Sequence, residues 1–177
     1  MRRLAVTVDL DWASEAAIEQ LLEALDARGV PSTVFVTHRS PCVEAALGRV
    51  EVGLHPYFGV GSSHGDTVDE VVRHVLDLPH DLPAFRCHRF EVSNTSREAL
   101  VAAGMQISSN VCTDLEVLPP FRERCGLIEV PIWLEDGGYL ARGHALDACT
   151  VPDGDAVVLV HPMHFAVNTP HFDFMRD

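Results

Sequence analysis

Leu4-Ala5-Val6-Thr7-Val8-Asp9-Leu10-Asp11 is the stretch on which the fold turns. Its first five residues are apolar or β-branched, which suits a buried strand, and the run ends in an acid. Ser14 can cap a helix in which Ala17, Ile18, Leu21, Leu22 and Leu25 recur at spacings of three and four, giving one buried face. Gly29 stops that helix and Pro31 confirms the stop. Thr33-Val34-Phe35-Val36 then reads as a second strand. Strand, helix, strand makes a parallel pair, because the crossover needs a helix.

The alternation continues outward from there. Val50-Glu51-Val52-Gly53-Leu54 is a third strand, followed by a Gly/Ser/His loop from Gly59 to Gly65. Val68 to Leu78 has a helical pattern with Val71, Val72 and Val75 on one side. Ala84-Phe85-Arg86 is a short strand, and Thr95 or Ser96 can cap a helix reaching Ala103. Met105-Gln106-Ile107-Ser108, Leu127-Ile128-Glu129-Val130 and Ala156-Val157-Val158-Leu159-Val160 complete a set of about seven strands. The pattern predicts an α/β fold with an incomplete (β/α) barrel, and a doubly wound open sheet is the competitor. No repeat, low-complexity tract or linker interrupts residues 1–177, so one domain is expected.

Composition narrows the function classes. The formal net charge is −13, from 26 acidic against 13 basic side chains, which argues against nucleic acid or an anionic membrane surface as a partner. A neutral or cationic substrate is easier to accommodate, and a homo-oligomer is compatible with the sequence. The five cysteines (Cys42, Cys87, Cys112, Cys125 and Cys149) are odd in number and contain no C-x-x-C pair. That spacing disfavours a disulfide framework or a thiolate zinc site and fits a reducing compartment. Behind Met1-Arg2-Arg3 the apolar run meets Asp9 and Asp11 too soon for a signal peptide or a membrane span. A cytoplasmic, soluble chain is expected.

The polar residues at the ends of the apolar runs carry the chemistry. Asp9 and Asp11 follow strand one, His55 strand three, Arg86 and His88 strand four, and His161 the last strand. In parallel α/β folds the carboxyl ends of the strands line the ligand crevice, so these groups should converge. Alternate strand residues point the same way, so Asp9 and Asp11 can face one pocket, where a cation would relieve their repulsion. The plain alternative is a strand-to-helix turn with one Asp as a cap. His55 and the loop residue His64 can supply two imidazoles which, with one carboxylate, leave a catalytic zinc an open position. The plain alternative for His64 is a solvated loop histidine. His161, before Pro162 and His164, is either a satisfied core residue or an acid–base group near neutral pH. Arg86 can equally be a simple ion-pair partner. No G-x-x-x-x-G-K-[ST], G-x-G-x-x-G or G-x-S-x-G occurs.

With these residues in view, the chain resembles the polysaccharide deacetylases, the NodB-homology family of metal-dependent de-N-acetylases. Thr7-Val8-Asp9-Leu10-Asp11 is similar to the family's first motif in a D-x-D form, and Glu51-Val52-Gly53-Leu54-His55 to its second. Arg86 stands where the third motif has its arginine, and His161-Pro162 is similar to the last motif. Glu129-Val130-Pro131, followed by Glu135-Asp136, is similar to a segment of the branch holding cyclic-imide hydrolases and certain peptidoglycan deacetylases. The resemblance implies an irregular, incomplete (β/α)7 barrel of the glycoside hydrolase/deacetylase type. It implies Asp9 as general base oriented by Arg86, Asp11, His55 and His64 as metal ligands, and His161 as the acid that protonates the leaving amine. Substrate contacts are expected from His88, Tyr57, Trp133, Asp136 and His164, with the oxyanion held by the metal and by a backbone N–H near Pro56-Tyr57. The metal expected is Zn²⁺, with Co, Ni, Mn or Fe as alternatives. The expected reaction is hydrolysis of an acetamido group on an amino sugar or a surface-polysaccharide precursor. A cyclic imide or another non-sugar amide, and an inactive metal- or carbohydrate-binding domain, are the other readings. Two departures stand out. The residue four after His55, where the family's second histidine falls, is Gly59, and Arg86 is followed by Cys87-His88 rather than proline. His88 is therefore a rival third ligand.

Overall fold

The computed structural model describes residues 3–171 and 174; Met1 and Arg2, which entered the leader-peptide reading, lie outside them. Strand β1 (Arg3–Asp9) lies inside the sheet and hydrogen-bonds in parallel to β2 (Ser32–Val36) on one side and β9 (Asp155–Val160) on the other. Beyond β2 follow β3 (Glu51–Leu54), β4 (Ala84–Phe85), β5 (Ile107–Ser108) and β7 (Ile128–Glu129), all parallel. The short β6 (Phe121–Arg122) adds antiparallel to β7, and β8 (Leu134–Glu135) adds parallel to β9. The order therefore advances from β1 without reversal, as in a barrel; a doubly wound sheet would reverse at β1. Residues 130–133 lead from β7 at one end of the sheet to β8 at the other, with Ile132 N bonded to Val111 O and Trp133 N to Val157 O. β7 and β8 thus act as one interrupted strand, and the curled sheet is an incomplete barrel of seven parallel positions.

The helices follow from local chemistry. Ser14 Oγ accepts from Ala17 N at the start of α1 (Glu15–Asp26), which buries Ala17, Ile18 and Leu21. Past its end Gly29 takes a left-handed φ of 62°, which a residue without Cβ adopts freely. α2 (Pro41–Ala46), capped by Ser40, was not evident in the sequence because six residues show no period. α3 (Val68–Leu76) begins with a capping box between Thr67 and Glu70 and buries Val71, Val72 and Val75. The cap of α4 (Asn94–Ala102) is Ser93, not Thr95 or Ser96; Ser96 instead returns its hydroxyl to the Ser93 backbone. α5 (Asp136–Ala141) and α6 (Pro162–Ala166) are single short helices after β8 and β9.

The main core joins β1, β2, β3 and β4 to α1, α3 and α4 through Val8, Val34, Val52, Phe85, Ile18 and Leu100, among others. Gly53 in β3 is where the sheet is tightest. An added Cβ would lie 2.8 Å from Ala84 O and 2.8 Å from Phe35 Cε1. One of these atoms is backbone and cannot rotate away, so Gly53→Ala should cost about 1–3 kcal/mol of stability by overpacking, read as a lower urea midpoint. A variant as stable as its parent would mean that the strand spacing is softer than the geometry indicates. Among the described residues no helix is long and apolar enough to cross a membrane, and all five cysteines are free.

Candidate active site

The strand ends meet at one rim. Asp9 ends β1, His55 follows β3, Arg86 and His88 follow β4, Asp136 follows β8 and His161 follows β9. Asp9, Asp11, His55, His88, Arg89, Glu135, His161 and His164 line a cavity of about 320 Å³ there. A larger hollow of about 560 Å³, bordered by Arg3, Pro31, Glu51 and Asp155, opens at the opposite ends of the strands and contains none of the candidate residues.

Asp9 and Asp11 do face one pocket, but not by strand alternation. β1 ends at Asp9, and Asp11 and Trp12 both take left-handed backbone angles, φ 44° and 56°. Such angles are costly for residues with a Cβ and are concentrated at sites that use them. The turn folds the Asp11 carboxylate back, where Oδ1 accepts from His55 Nε2 at 3.0 Å and His88 Nδ1 at 2.9 Å. Burial by itself would raise the Asp11 pKa, but these two hydrogen bonds and the nearby imidazoles hold it far below the usual carboxylate range.

Asp9 is held differently. Arg86, wholly buried, donates Nη1 to Asp9 Oδ1 at 2.9 Å and to Thr7 Oγ1, Nε to Ser109 O and Nη2 to Ser109 Oγ. Its guanidinium also lies 4.5 Å from the centre of the Phe35 ring, the ring that Gly53 admits. A buried charge so fully bonded cannot tilt, and neither can the carboxylate it grips.

His161 faces both acids. Its Nδ1 contacts Asp136 Oδ1 at 2.6 Å, its backbone N–H donates to Asp136 Oδ2 at 2.7 Å, and its Nε2 lies 3.5 Å from Asp11 Oδ2. Burial works to lower its pKa, but the Asp136 carboxylate outweighs burial and pushes it up to about 10. His161 is extended (φ −111°, ψ 134°), and Pro162 opens α6 directly after it, as a first-turn proline can.

The described residues fit a divalent metal. Asp11, His55 and His88 each present a ligand atom within 4.8 Å of the others, and tetrahedral zinc with bonds near 2.1 Å needs separations of roughly 3.4 Å. His55 Nδ1 is buried with no hydrogen-bond partner, 3.6 Å from Asp9 Oδ2. If Nε2 gives its lone pair to a metal, the proton resides on Nδ1 and gains Asp9 as acceptor, the usual support of a ligating histidine. Asp136, His161 and His164 also lie within 4.8 Å of one another, but the Asp136 carboxylate is already taken by His161 and by Gly137 N.

Several expected residues stand elsewhere. His64 lies outside the cluster: Tyr57 N donates to its Nδ1 at 3.1 Å and its Nε2 donates to Thr37 O at 2.9 Å. Accepting at Nδ1 keeps the ring neutral, and burial followed by the His74 ring stacked on it lowers its pKa to about 4. Neither nitrogen has a free lone pair. The same bond uses the Tyr57 N–H, so it cannot serve as the expected oxyanion donor; the Tyr57 ring instead packs edge-on to His88. Trp133 is buried, donates Nε1 to Leu115 O and packs with Leu134 and Tyr139 rather than lining the cavity. Asp136 grips His161, and His164 lines the cavity. Glu129, of the segment suggesting a cyclic-imide branch, is wholly buried and accepts from Ser108 Oγ, Asn110 N and Val111 N. Its carboxylate ties β5 to β7 and has no access to the cavity. Thr7, Ser109 and Asn110, the last accepting from Cys87 N, were missed as supports. For Ser109 and Asn110 the one signal in the sequence is the polar run Ser108-Ser109-Asn110 after an apolar stretch; for Thr7 it is only the place two residues before Asp9.

A family model described as WbmS-like polysaccharide deacetylase matches residues 6–177, nearly the whole chain. The chain belongs to that family. A solved Bordetella bronchiseptica protein, assigned as a polysaccharide deacetylase involved in O-antigen biosynthesis, is similar at 25% identity and a TM-score of 0.89, over 99% of this chain and 77% of its own. A Mycobacterium smegmatis protein assigned as a polysaccharide deacetylase shares the fold at 18% identity and a TM-score of 0.60, over 91% of this chain and 77% of its own. No curated protein matches. In this member of the family, the imidazole that meets Asp11 and His55 is His88, from the turn after β4, while His64 of the loop after β3 is bonded elsewhere.

Proposed function

We propose that this chain is a metal-dependent hydrolase that removes an N-acetyl group from an amino sugar or a surface-polysaccharide precursor. The observation that carries the reading is the meeting, at one rim, of a ligand trio (Asp11, His55, His88) with two braced acid–base candidates, Asp9 on Arg86 and His161 on Asp136. A divalent metal held by the trio would supply Lewis acidity and lower the pKa of its water. Asp9, fixed by Arg86, accepts the proton of the water that attacks the acetamide carbon. His161, kept protonated by Asp136, passes its proton to the departing nitrogen, releasing acetate and the free amine. The engagement of both His64 nitrogens supports His88 as the third ligand. The cavity volume, at the low end of the roughly 300–1,000 Å³ typical of small-molecule sites, suits a small acylated sugar.

The test is acetate release from a panel of N-acetylated hexosamines, oligosaccharides and cyclic imides. Turnover on the N-acetyl sugars is expected, with activity abolished by dipicolinate and restored by Zn²⁺ or Co²⁺. Turnover that chelators leave untouched would overturn the metal reading, and hydrolysis confined to cyclic imides would overturn the substrate class.

A further inference from the structure

We propose that Arg89 reads an anionic group on the substrate, so that the sugar acted on carries a carboxylate or a phosphate beside its acetamido group; this rests on the deacetylase reading. Arg89 lines the same cavity as Asp9, Asp11 and His161. Arg3, Arg39, Arg49, Arg97, Arg124 and Arg142 each pair with a carboxylate. Arg89 is exposed and, like Arg73, has no hydrogen bond or ion pair among the described residues; unlike Arg73 it stands on the wall of the cavity that holds the acids and imidazoles. The carboxylates that share the cavity are already engaged: Asp9 by Arg86, Asp11 by two histidines, and Glu135 as the cap of α5.

The backbone also holds Arg89 in place. Arg89 and Phe90 are both left-handed, φ 57° and 58°, a costly arrangement for two bulky residues in sequence. Phe90 N donates to Cys87 O, and the Phe90 ring packs against the cluster of Ile132, Val157 and Leu159. One residue earlier, the same turn brings His88 to Asp11. Arg89 is therefore carried on the turn that brings His88 to Asp11, and its side chain lines the cavity. Its planar fork matches two oxygens of a carboxylate or phosphate, and a neutral hexosamine offers nothing of that charge. The carboxylate would belong to a uronic acid, the phosphate to a phosphorylated or nucleotide-linked sugar.

The experiment compares binding by calorimetry of three ligands: a neutral N-acetylhexosamine, an N-acetylhexosaminuronate, and the neutral sugar linked to a nucleoside diphosphate. The proteins are the parent chain, Arg89→Asn and Arg89→Lys; asparagine tolerates the left-handed backbone and removes only the cation. The parent should bind at least one anionic ligand roughly tenfold or more tightly than the neutral sugar, and Arg89→Asn should lose that margin while Arg89→Lys keeps part of it. Which anionic ligand responds identifies the source of the charge. Where the ligand is turned over, the loss should fall on KM rather than kcat. A parent that favours neither anion, or an Arg89→Asn protein with the preference intact, would overturn the proposal. Failure of the deacetylase reading would look different: binding without acetate release.

Discussion

His161→Ala is expected to lower kcat for acetate release by roughly 10²–10⁴-fold, the usual contribution of a positioned general acid. The geometry behind the number is the double grip of Asp136 on the ring and on the backbone N–H of the same residue. That carboxylate raises the His161 pKa to about 10, above its ordinary 6.5, so the imidazole holds its proton at neutral pH. The sign follows directly. A histidine whose folded pKa is raised adds stability below its ordinary pKa and loses it as pH climbs through the folded value. In kinetics the same proton defines the alkaline limb of kcat/KM. Asp136→Asn removes the raising charge, so that limb should move to lower pH, with kcat falling at neutral pH as the ring deprotonates. If His161→Ala turned over within a few-fold of the parent, the acid would have to be another group. If Asp136→Asn left the alkaline limb in place, Asp136 would be a structural anchor only.

The second large effect concerns metal content. His88→Ala should weaken zinc binding by on the order of 10²-fold or more, beyond the 10–100-fold that loss of a supporting contact typically costs. His64→Ala should leave the affinity close to that of the parent, because both of its ring nitrogens are spent on Tyr57 N and Thr37 O. Competition with a chromophoric chelator, followed by metal analysis, reads both values without any need for turnover. The opposite result, with His64→Ala stripped and His88→Ala loaded, would require the loop after β3 to reorganise on metal binding, and would return the third ligand to the family's usual region. Trp12 gives a reason why it should not. Its ring packs against Tyr57, His64 and His88 together, so the loop and the turn after β4 are already braced on one side chain.

Much of the fold was legible locally. Ser14, Gly29 and the three-and-four spacing of Ile18 and Leu21 marked α1, and the β-branched runs marked β1, β2, β3 and β9. β6 and β8, two residues each, were not read as strands from the sequence; they are defined by their pairing with β7 and β9. α5 was hidden because its six residues, beginning Asp136-Gly137-Gly138, are too few to show a helical period.

What the amino-acid sequence determined by itself was which residues end the strands: Asp9, His55, Arg86 and His161 each follow an apolar run, and a parallel sheet must gather such residues at one rim. Which of them touch was decided by tertiary structure alone. Asp11 reaches His55 and His88 because the chain turns left-handed after β1, and His64 is withdrawn because a backbone amide and a carbonyl satisfy it first. Ligand selection depends on separations of a few ångströms between atoms dozens of residues apart, and no spacing along the chain encodes them.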